Sequence, residues 1–404
     1  MELTLALIII ALIILVVFLL HYEQPKAEIP HEVCGRVLLH IFHHIARVSF
    51  GLELILEKFG IYVDHHIIRL VLNLAPSGDT SKLFIKDLTF EKMNVRIYQP
   101  KVPSAGLRRG VVYCHGGTGR FGSIKVYDSL CCSIATKSES VVMCVGYRLA
   151  PEHPFPTQFD DCLAATIHFM RTAEDYGVDP TRVIICGDSS GGTIAAAVCQ
   201  ALVNRTDLPR VRAQILIYPF LQAADFNLPS YQQNHAMPPL LRKWTIYLGL
   251  RYLNIDVSLI DGLLEGIHIH EDLREKYSKW LSPDNIQDEF KIRGYEPPKL
   301  SPRVEKYSTK AQVFLTPTFS PLLAEDDVIC QLPESFILTC EYDVLRDDGL
   351  LYKKRLEDNG VQVTWCHLKD GFHGVLAVAR IYGIISFEAG LRGIDAIAKF
   401  IRSL

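Results

Sequence analysis

The alternation of apolar and polar positions divides the chain into five stretches. Residues 3–20 are apolar apart from Thr4. As a helix this run spans about 27 Å, close to the roughly 30 Å hydrocarbon core of a bilayer. A short polar linker, residues 21–26, contains Pro25. From about 27 to 79 the pattern is helical, with apolar stripes in Val37-Leu38-Leu39-His40-Ile41 and Leu52-Glu53-Leu54-Ile55-Leu56. Ala75-Pro76-Ser77-Gly78 closes it. From about 83 to 220, short β-branched runs alternate with helical patterns, which predicts a largely parallel sheet. Gly110-Val111-Val112-Tyr113-Cys114, Val183-Ile184-Ile185-Cys186 and Gln214-Ile215-Leu216-Ile217-Tyr218-Pro219 are three of its strands.

More than a hundred residues then separate Pro219 from the next strand, Ser335-Phe336-Ile337-Leu338-Thr339-Cys340. That is too long for an ordinary connection. It holds a helical pattern at Leu240–Leu248 and a Pro-rich piece, Glu296-Pro297-Pro298-Lys299, and reads as a cap insertion that joins residues 27–79 over the sheet. Tyr307–Leu323 is expected to be buried rather than membrane-facing. A last strand, Val361–His367, follows. The expected layout is a transmembrane helix at 1–20, a helical cap segment at 27–79, core at 80–220, cap insertion at 221–312 and core again at 313–404. A cleaved signal peptide is the rival for 1–20. It wants a positive start and a small-x-small cleavage site, whereas the chain begins Met1-Glu2 and the run ends Phe18-Leu19-Leu20-His21-Tyr22-Glu23. An uncleaved anchor is favoured. With only Lys26 and Arg36 after the run and no Lys or Arg before it, charge opposes a cytosolic N-terminus only weakly.

Chemistry concentrates where strands end. Val183–Cys186 runs into Gly187-Asp188-Ser189-Ser190-Gly191-Gly192 and then the small-residue helix Thr193-Ile194-Ala195-Ala196-Ala197. Gly-x-Ser-x-Gly between strand and helix is the setting of a nucleophile elbow, and it makes Ser189 the candidate nucleophile. Alone, the pentapeptide is as well explained by a plain turn, so partners decide. The strand ending at Cys114 leads into His115-Gly116-Gly117-Thr118-Gly119. Such a loop lends backbone N–H groups to an oxyanion hole: Gly116, Gly117 and Thr118, joined by the N–H of Ser190. Downstream, Glu341-Tyr342-Asp343-Val344-Leu345-Arg346-Asp347-Asp348 and Asp370-Gly371-Phe372-His373-Gly374 each follow a strand. Asp343 is preferred as the acid, with Asp347 and Asp348 expected to cap or solvate the next helix. His373 is preferred as the base, since His367 lies within strand periodicity. His43, His44, His65 and His66 are read as structural or surface residues.

These motifs, together with Tyr147-Arg148-Leu149-Ala150-Pro151-Glu152-His153-Pro154-Phe155-Pro156, resemble the hormone-sensitive-lipase group of α/β-hydrolases. With the N-terminal apolar segment, the resemblance is closest to arylacetamide deacetylases and their deacetylase-like relatives, and it covers nearly the whole chain. It implies an α/β-hydrolase fold, a mostly parallel sheet flanked by helices under a largely helical cap. It further implies a serine hydrolase of lipophilic esters or arylamides, working through an acyl-enzyme. The chain would be a single-pass type II protein of the endoplasmic reticulum membrane with a luminal catalytic body. Arg148, Glu152 and Asp160 are expected to form a buried structural network. One departure stands out: the group's His-Gly-Gly-Gly is His115-Gly116-Gly117-Thr118 here. A β-branched residue resists positive φ, which keeps open a catalytically weak hydrolase fold that serves as a binding or scaffold protein.

Composition adds little. A net charge of −3 gives no cue for nucleic acid. The eleven cysteines show no zinc spacing, so neither metal nor cofactor is expected. Cys114, Cys144, Cys186 and Cys340 sit in strand-like runs as small hydrophobes, and Cys131-Cys132 on a helix. Asn204-Arg205-Thr206 is the sole N-glycosylation sequon. The oligomeric state is not legible.

Overall fold

The computed structural model describes residues 27–33, 35–60, 65–90, 92–298, 312–381 and 385–404. The expected transmembrane helix at 1–20 lies outside them, and among the described residues no helix is long and apolar enough to cross a membrane. Two helices come first, α1 (Arg36–Lys58) and α2 (His66–Leu72). A hairpin of β1 (Leu83–Phe90) and β2 (Met93–Pro100) leads into β3 (Arg108–Cys114), α3 (Ile124–Ser138), β4 (Val141–Gly146), α4 (Thr157–Arg171), β5 (Val178–Asp188), α5 (Ser190–Leu202) and β6 (Ala213–Ile217). The long insertion carries α6 (Arg242–Tyr252) and α7 (Glu271–Leu281). The chain finishes with β7 (Glu334–Tyr342), α8 (Arg346–Asp358), β8 (Val363–Phe372) and α9 (Glu388–Ser403).

Eight strands form one sheet in the order β1-β2-β4-β3-β5-β6-β7-β8. β2 pairs antiparallel with β1 and β4, and every pairing from β4 through to β8 is parallel. A parallel sheet is buried on both faces, so its strands are apolar throughout. In β5, Val183 and Ile185 face one layer with Val198 of α5 and Phe169 of α4. Ile184 and Cys186 face the other, with Ile134 of α3 and Ile397 of α9. Successive side chains therefore serve opposite layers. The free thiols Cys114, Cys144, Cys186 and Cys340 are fully buried, as small hydrophobes. In the part of Tyr307–Leu323 within the described residues, Phe314, Phe319, Leu322 and Leu323 are buried.

Two expectations are corrected. Arg148, Glu152 and Asp160 do not form one network. Arg148 makes a two-pronged pair with Asp161, Nη2 to Oδ1 at 2.7 Å and Nε to Oδ2 at 3.0 Å. Glu152 takes Arg69 of α2 at 2.7 Å, and Asp160 is exposed. One residue of helical rotation separates Asp161, facing in, from its neighbour.

Asp347 and Asp348 are not solvated; both are fully buried at the start of α8, where they tie the insertion to the core. The Asp347 carboxylate accepts the N–H of Ser230 at 2.6 Å. Asp348 accepts the N–H of Leu221 at 2.9 Å and the amide of Gln222 at 3.0 Å. Burial pushes the Asp348 carboxyl up to about 8 from 3.8, against the hydrogen bonds that favour its charged form. The folded chain thus keeps this proton to a higher pH than the unfolded chain. The contribution to stability is full below about pH 4 and lost as pH rises to about 8, at up to roughly 1.4 kcal/mol per pH unit. Urea unfolding of Asp348→Asn between pH 5 and 8 should show a flatter stability profile than wild type. Parallel profiles would contradict the assignment.

Candidate active site

Ser189, Asp343 and His373 each occupy the first position beyond a strand, after β5, β7 and β8 respectively. Because those strands run parallel, their C-terminal ends share one edge of the sheet, where α/β folds place their sites. His373 Nε2 lies 2.9 Å from Ser189 Oγ, and His373 Nδ1 lies 2.8 Å from Asp343 Oδ2. The other Asp343 oxygen accepts the N–H of Leu345 at 2.9 Å, so the carboxylate is aimed before it meets the imidazole. Asn234 donates to the Asp343 backbone carbonyl at 2.9 Å and pins this corner to the insertion. His367 stands apart, between Thr339 and Glu341.

The elbow is tight. Ser189 has φ 55° and ψ −124°, a conformation that L residues avoid and that here thrusts the side chain outward. A Cβ at Gly187 would come within 2.1 Å of the Gly191 carbonyl oxygen, and one at Gly191 within 2.1 Å of the Cys114 carbonyl oxygen. Only glycine fits at either place.

The residue that organises the surroundings is one that the motif reading passed over. Asp188, between the first glycine and the serine, is buried and points away from the nucleophile. Its Oδ1 accepts from Tyr113 Oη of β3 and from the Gly116 N–H, both at 2.9 Å, and its Oδ2 accepts from Tyr127 Oη of α3 at 2.9 Å. Burial raises its carboxyl to about 6, and these three hydrogen bonds pull the other way. A polar residue at the apolar end of a strand was the available sequence signal. His115 is held neutral, its imidazole lowered to about 4 by burial. Nδ1 donates to the Gly116 carbonyl at 2.8 Å, and the ring stacks on Tyr147 at 4.1 Å. Tyr147 Oη in turn donates to the His115 carbonyl at 2.7 Å. The Tyr147 motif therefore supports the loop.

This wiring revises the set of expected oxyanion donors. The Gly116 N–H is committed to Asp188 and leaves the set. Among the described residues, the N–H groups of Gly117 and Ser190 hold no hydrogen bond, and Ser190 opens α5, where N–H groups lack intrahelical partners. Thr118 adopts φ 52°, between Gly117 at 112° and Gly119 at 66°. The threonine itself takes the left-handed conformation, and its Oγ1 donates to the Gly117 carbonyl at 2.8 Å. Its N–H points toward the serine pair, but donates to Ser190 Oγ at 2.7 Å.

Beside Ser189 opens a cleft that also reaches Thr118 and Ser190. Phe155, Phe220, Tyr252 and Phe319 give it aromatic walls, with Phe155 edge-on to Phe319 at 5.7 Å and to Tyr252 at 5.6 Å. Tyr252, Gly249 and Thr245 come from α6, so the insertion roofs the site. An apolar chamber over an aligned Ser–His–Asp row favours attack of a hydroxyl on an acyl carbon in a low-dielectric setting.

The sequence matches the family described as alpha/beta hydrolase fold over residues 111–264 and 288–377. It is 45% identical to arylacetamide deacetylase-like 4 of Homo sapiens, over 93% of this chain and 92% of the other. It is 35% identical to neutral cholesterol ester hydrolase 1 of Bos taurus, over 84% of this chain and 86% of that protein. Among solved structures, an ester hydrolase from the metagenome of Lake Arreo superposes with a TM-score of 0.64 at 26% identity, covering 93% of this chain and 99% of that one.

Proposed function

This chain belongs to the alpha/beta-hydrolase family, among its arylacetamide deacetylase-like members, and from that membership we propose that it hydrolyses carboxylic esters or arylamides of lipophilic molecules with Ser189 as nucleophile. The observation that carries the reading is the row Asp343–His373–Ser189, with contacts of 2.8 and 2.9 Å beneath an aromatic cleft. His373 takes the serine proton through Nε2 as Oγ attacks the acyl carbon, and Asp343 holds the Nδ1–H tautomer and the imidazolium that forms. The same proton then passes to the leaving alcohol or amine. Water, deprotonated by His373, releases the acid and restores the serine. The N–H groups of Gly117 and Ser190 face the developing oxyanion.

Thr118 supplies the third donor only after its bond to Ser190 is broken. An oxyanion is the stronger acceptor, since charge-assisted hydrogen bonds are about twice as strong as neutral ones. The exchange costs the neutral bond, about 0.5–1.5 kcal/mol. On this reading Ser190 moderates the enzyme and Thr118 does not silence it. A fluorophosphonate probe should label wild type, fail with Ser189→Ala, and react roughly two- to tenfold faster with Ser190→Ala. No labelling of well-folded wild type sinks the hydrolase reading. Slower labelling of Ser190→Ala means that its hydroxyl itself serves the oxyanion.

The proposal includes an anchor at Leu3–Leu20 in the endoplasmic reticulum membrane, with the hydrolase body in the lumen. Eighteen residues with one polar member support the span. Asn204 follows α5 and is exposed, so a luminal body would carry a glycan there. Endoglycosidase treatment of protein from microsomes should increase gel mobility, and Asn204→Gln should remove the effect. Mobility unchanged by the enzyme would count against a luminal body.

A further inference from the structure

α1 is amphipathic in the wrong sense for water. Leu39, His43 and Arg47 form its buried stripe, with Ser49 and Glu53 also buried, so the inward side is mostly polar. Val37, Ile41 and Ile45 form an outward stripe, 75%, 48% and 43% exposed. Residues four apart stack on one helix face, and two residues of offset turn a helix by about 200°. The aliphatic stripe therefore lies opposite the polar one. A surface helix in water shows the reverse. α2 follows suit. Arg69 turns inward to the carbonyls of Arg120 and Ala150 at 2.7 and 2.6 Å, while Leu70 and, just beyond the helix, Leu74 are exposed. Phe59, the first residue beyond α1, is exposed as well.

Specific contacts fix this rotation. Glu53 Oε1 accepts the N–H groups of Ile67 and Ile68, both at 3.0 Å, and its Oε2 meets His65 Nδ1 at 3.2 Å. Rolling α1 to hide its aliphatic stripe would strip the start of α2 of that carboxylate. α1 also rests on α6: Glu57 pairs with Arg251 at 2.6 Å, and the rings of Phe50 and Trp244 meet edge-on at 5.1 Å. α6 in turn lines the cleft through Thr245, Gly249 and Tyr252. A single layer of helix thus separates the outward aliphatic stripe from the roof of the site.

We propose that α1 and the end of α2 seat the body on a lipid bilayer, with Val37, Ile41, Ile45 and Leu70 immersed at the acyl-chain boundary. The chain supplies the reason to name the bilayer as occupant. Six residues separate Leu20 from Ala27, a reach of at most about 25 Å, and Ile29 and Val33 are already buried in the body just ahead of α1. A membrane spanned by Leu3–Leu20 therefore lies within reach of this face. Arg36, Lys58 and the exposed His44 and His66 flank the apolar positions, as basic residues flank interfacial helices. A substrate dissolved in lipid then enters beside α6 without crossing water. The inference rests on the reading of Leu3–Leu20 as a membrane span and deepens the proposed preference for lipophilic substrates.

The test uses full-length protein in phosphatidylcholine–phosphatidylserine vesicles. With Cys34, Cys330 and Cys366 changed to serine, an environment-sensitive fluorophore is placed at Ile41→Cys, Leu70→Cys or, as an exposed control, Ile292→Cys. Lipids brominated along their acyl chains should quench the first two and spare the third. Quenching at 41 and 70 no greater than at 292 overturns the proposal. Blue-shifted but unquenched emission also overturns it, because protein, from residues 1–20 or a second copy, then covers the face. In parallel, Ile41→Asp with Ile45→Asp should slow hydrolysis of a long-chain ester held in vesicles by about tenfold or more. Turnover of a soluble short-chain ester should not change. Equal loss on both esters gives the stripe a folding role and refutes membrane seating. If wild type hydrolyses neither ester, the hydrolase reading fails, and the quenching result alone decides the bilayer contact.

Discussion

A single buried carboxylate holds the catalytic edge of the sheet together. Asp188 receives two tyrosine hydroxyls and one backbone N–H, and these donors come from β3, from α3 and from the loop that faces the nucleophile. Burying a charge costs several kcal/mol unless its lone pairs are satisfied. The demand for three donors therefore fixes where β5, β3 and α3 stand relative to one another. Ser189 follows Asp188 directly, so its position is inherited from that anchor. Gly116 is bound by the same carboxylate, and the next two residues of its loop are thereby carried to the side of the serine. Nucleophile and oxyanion donors thus share one origin.

What the sequence made legible were the features with a strict local cause. The elbow needs glycine where any Cβ would meet backbone, and Gly187 and Gly191 stand at such places. Alternating buried layers demand β-branched runs, and those runs located β3, β6 and β7 closely but only the later half of β5. Ser189, Asp343 and His373 could be nominated because each follows such a run, and the structure brings all three together. Less legible were contacts settled by partners distant in the chain. Asp347 and Asp348 looked like helix-start residues facing water, yet their partners lie over a hundred residues away, at Ser230 and Leu221. Asp160 and Asp161 are equivalent in composition, and only the rotation of α4 decides which meets Arg148. Gly116 carries the same sequence signal as Gly117, and Asp188 alone distinguishes them.

Thr118 shows how a departure from a pattern is absorbed. A β-branched residue at positive φ is strained, and neighbouring glycines do not take the strain over, since Thr118 itself sits at φ 52°. Its hydroxyl and its N–H are both engaged, one with Gly117 and the other with Ser190. One of the three donors is therefore tied back to Ser190, whereas the N–H groups of Gly117 and Ser190 hold no hydrogen bond among the described residues. Above it, Phe155, Phe220 and Phe319 join Tyr252 of the insertion as aromatic walls, and α1 lies behind α6 with an aliphatic face outward. From Asp188 out to that face, each layer fixes the next by a buried polar contact: Gly116, Tyr147, the Asp347–Asp348 pair and Glu53.

The most direct test of this account is the hydrolysis rate of Asp188→Asn on a soluble short-chain ester, beside its circular dichroism spectrum. An amide keeps the shape but cannot accept from all three donors, so the loop loses its anchor while the sheet remains. The account predicts a native-like spectrum with turnover reduced by about 10²-fold, as for loss of one oxyanion donor. Turnover within a few-fold of wild type in a folded variant would contradict it, because the donors would then be positioned without Asp188.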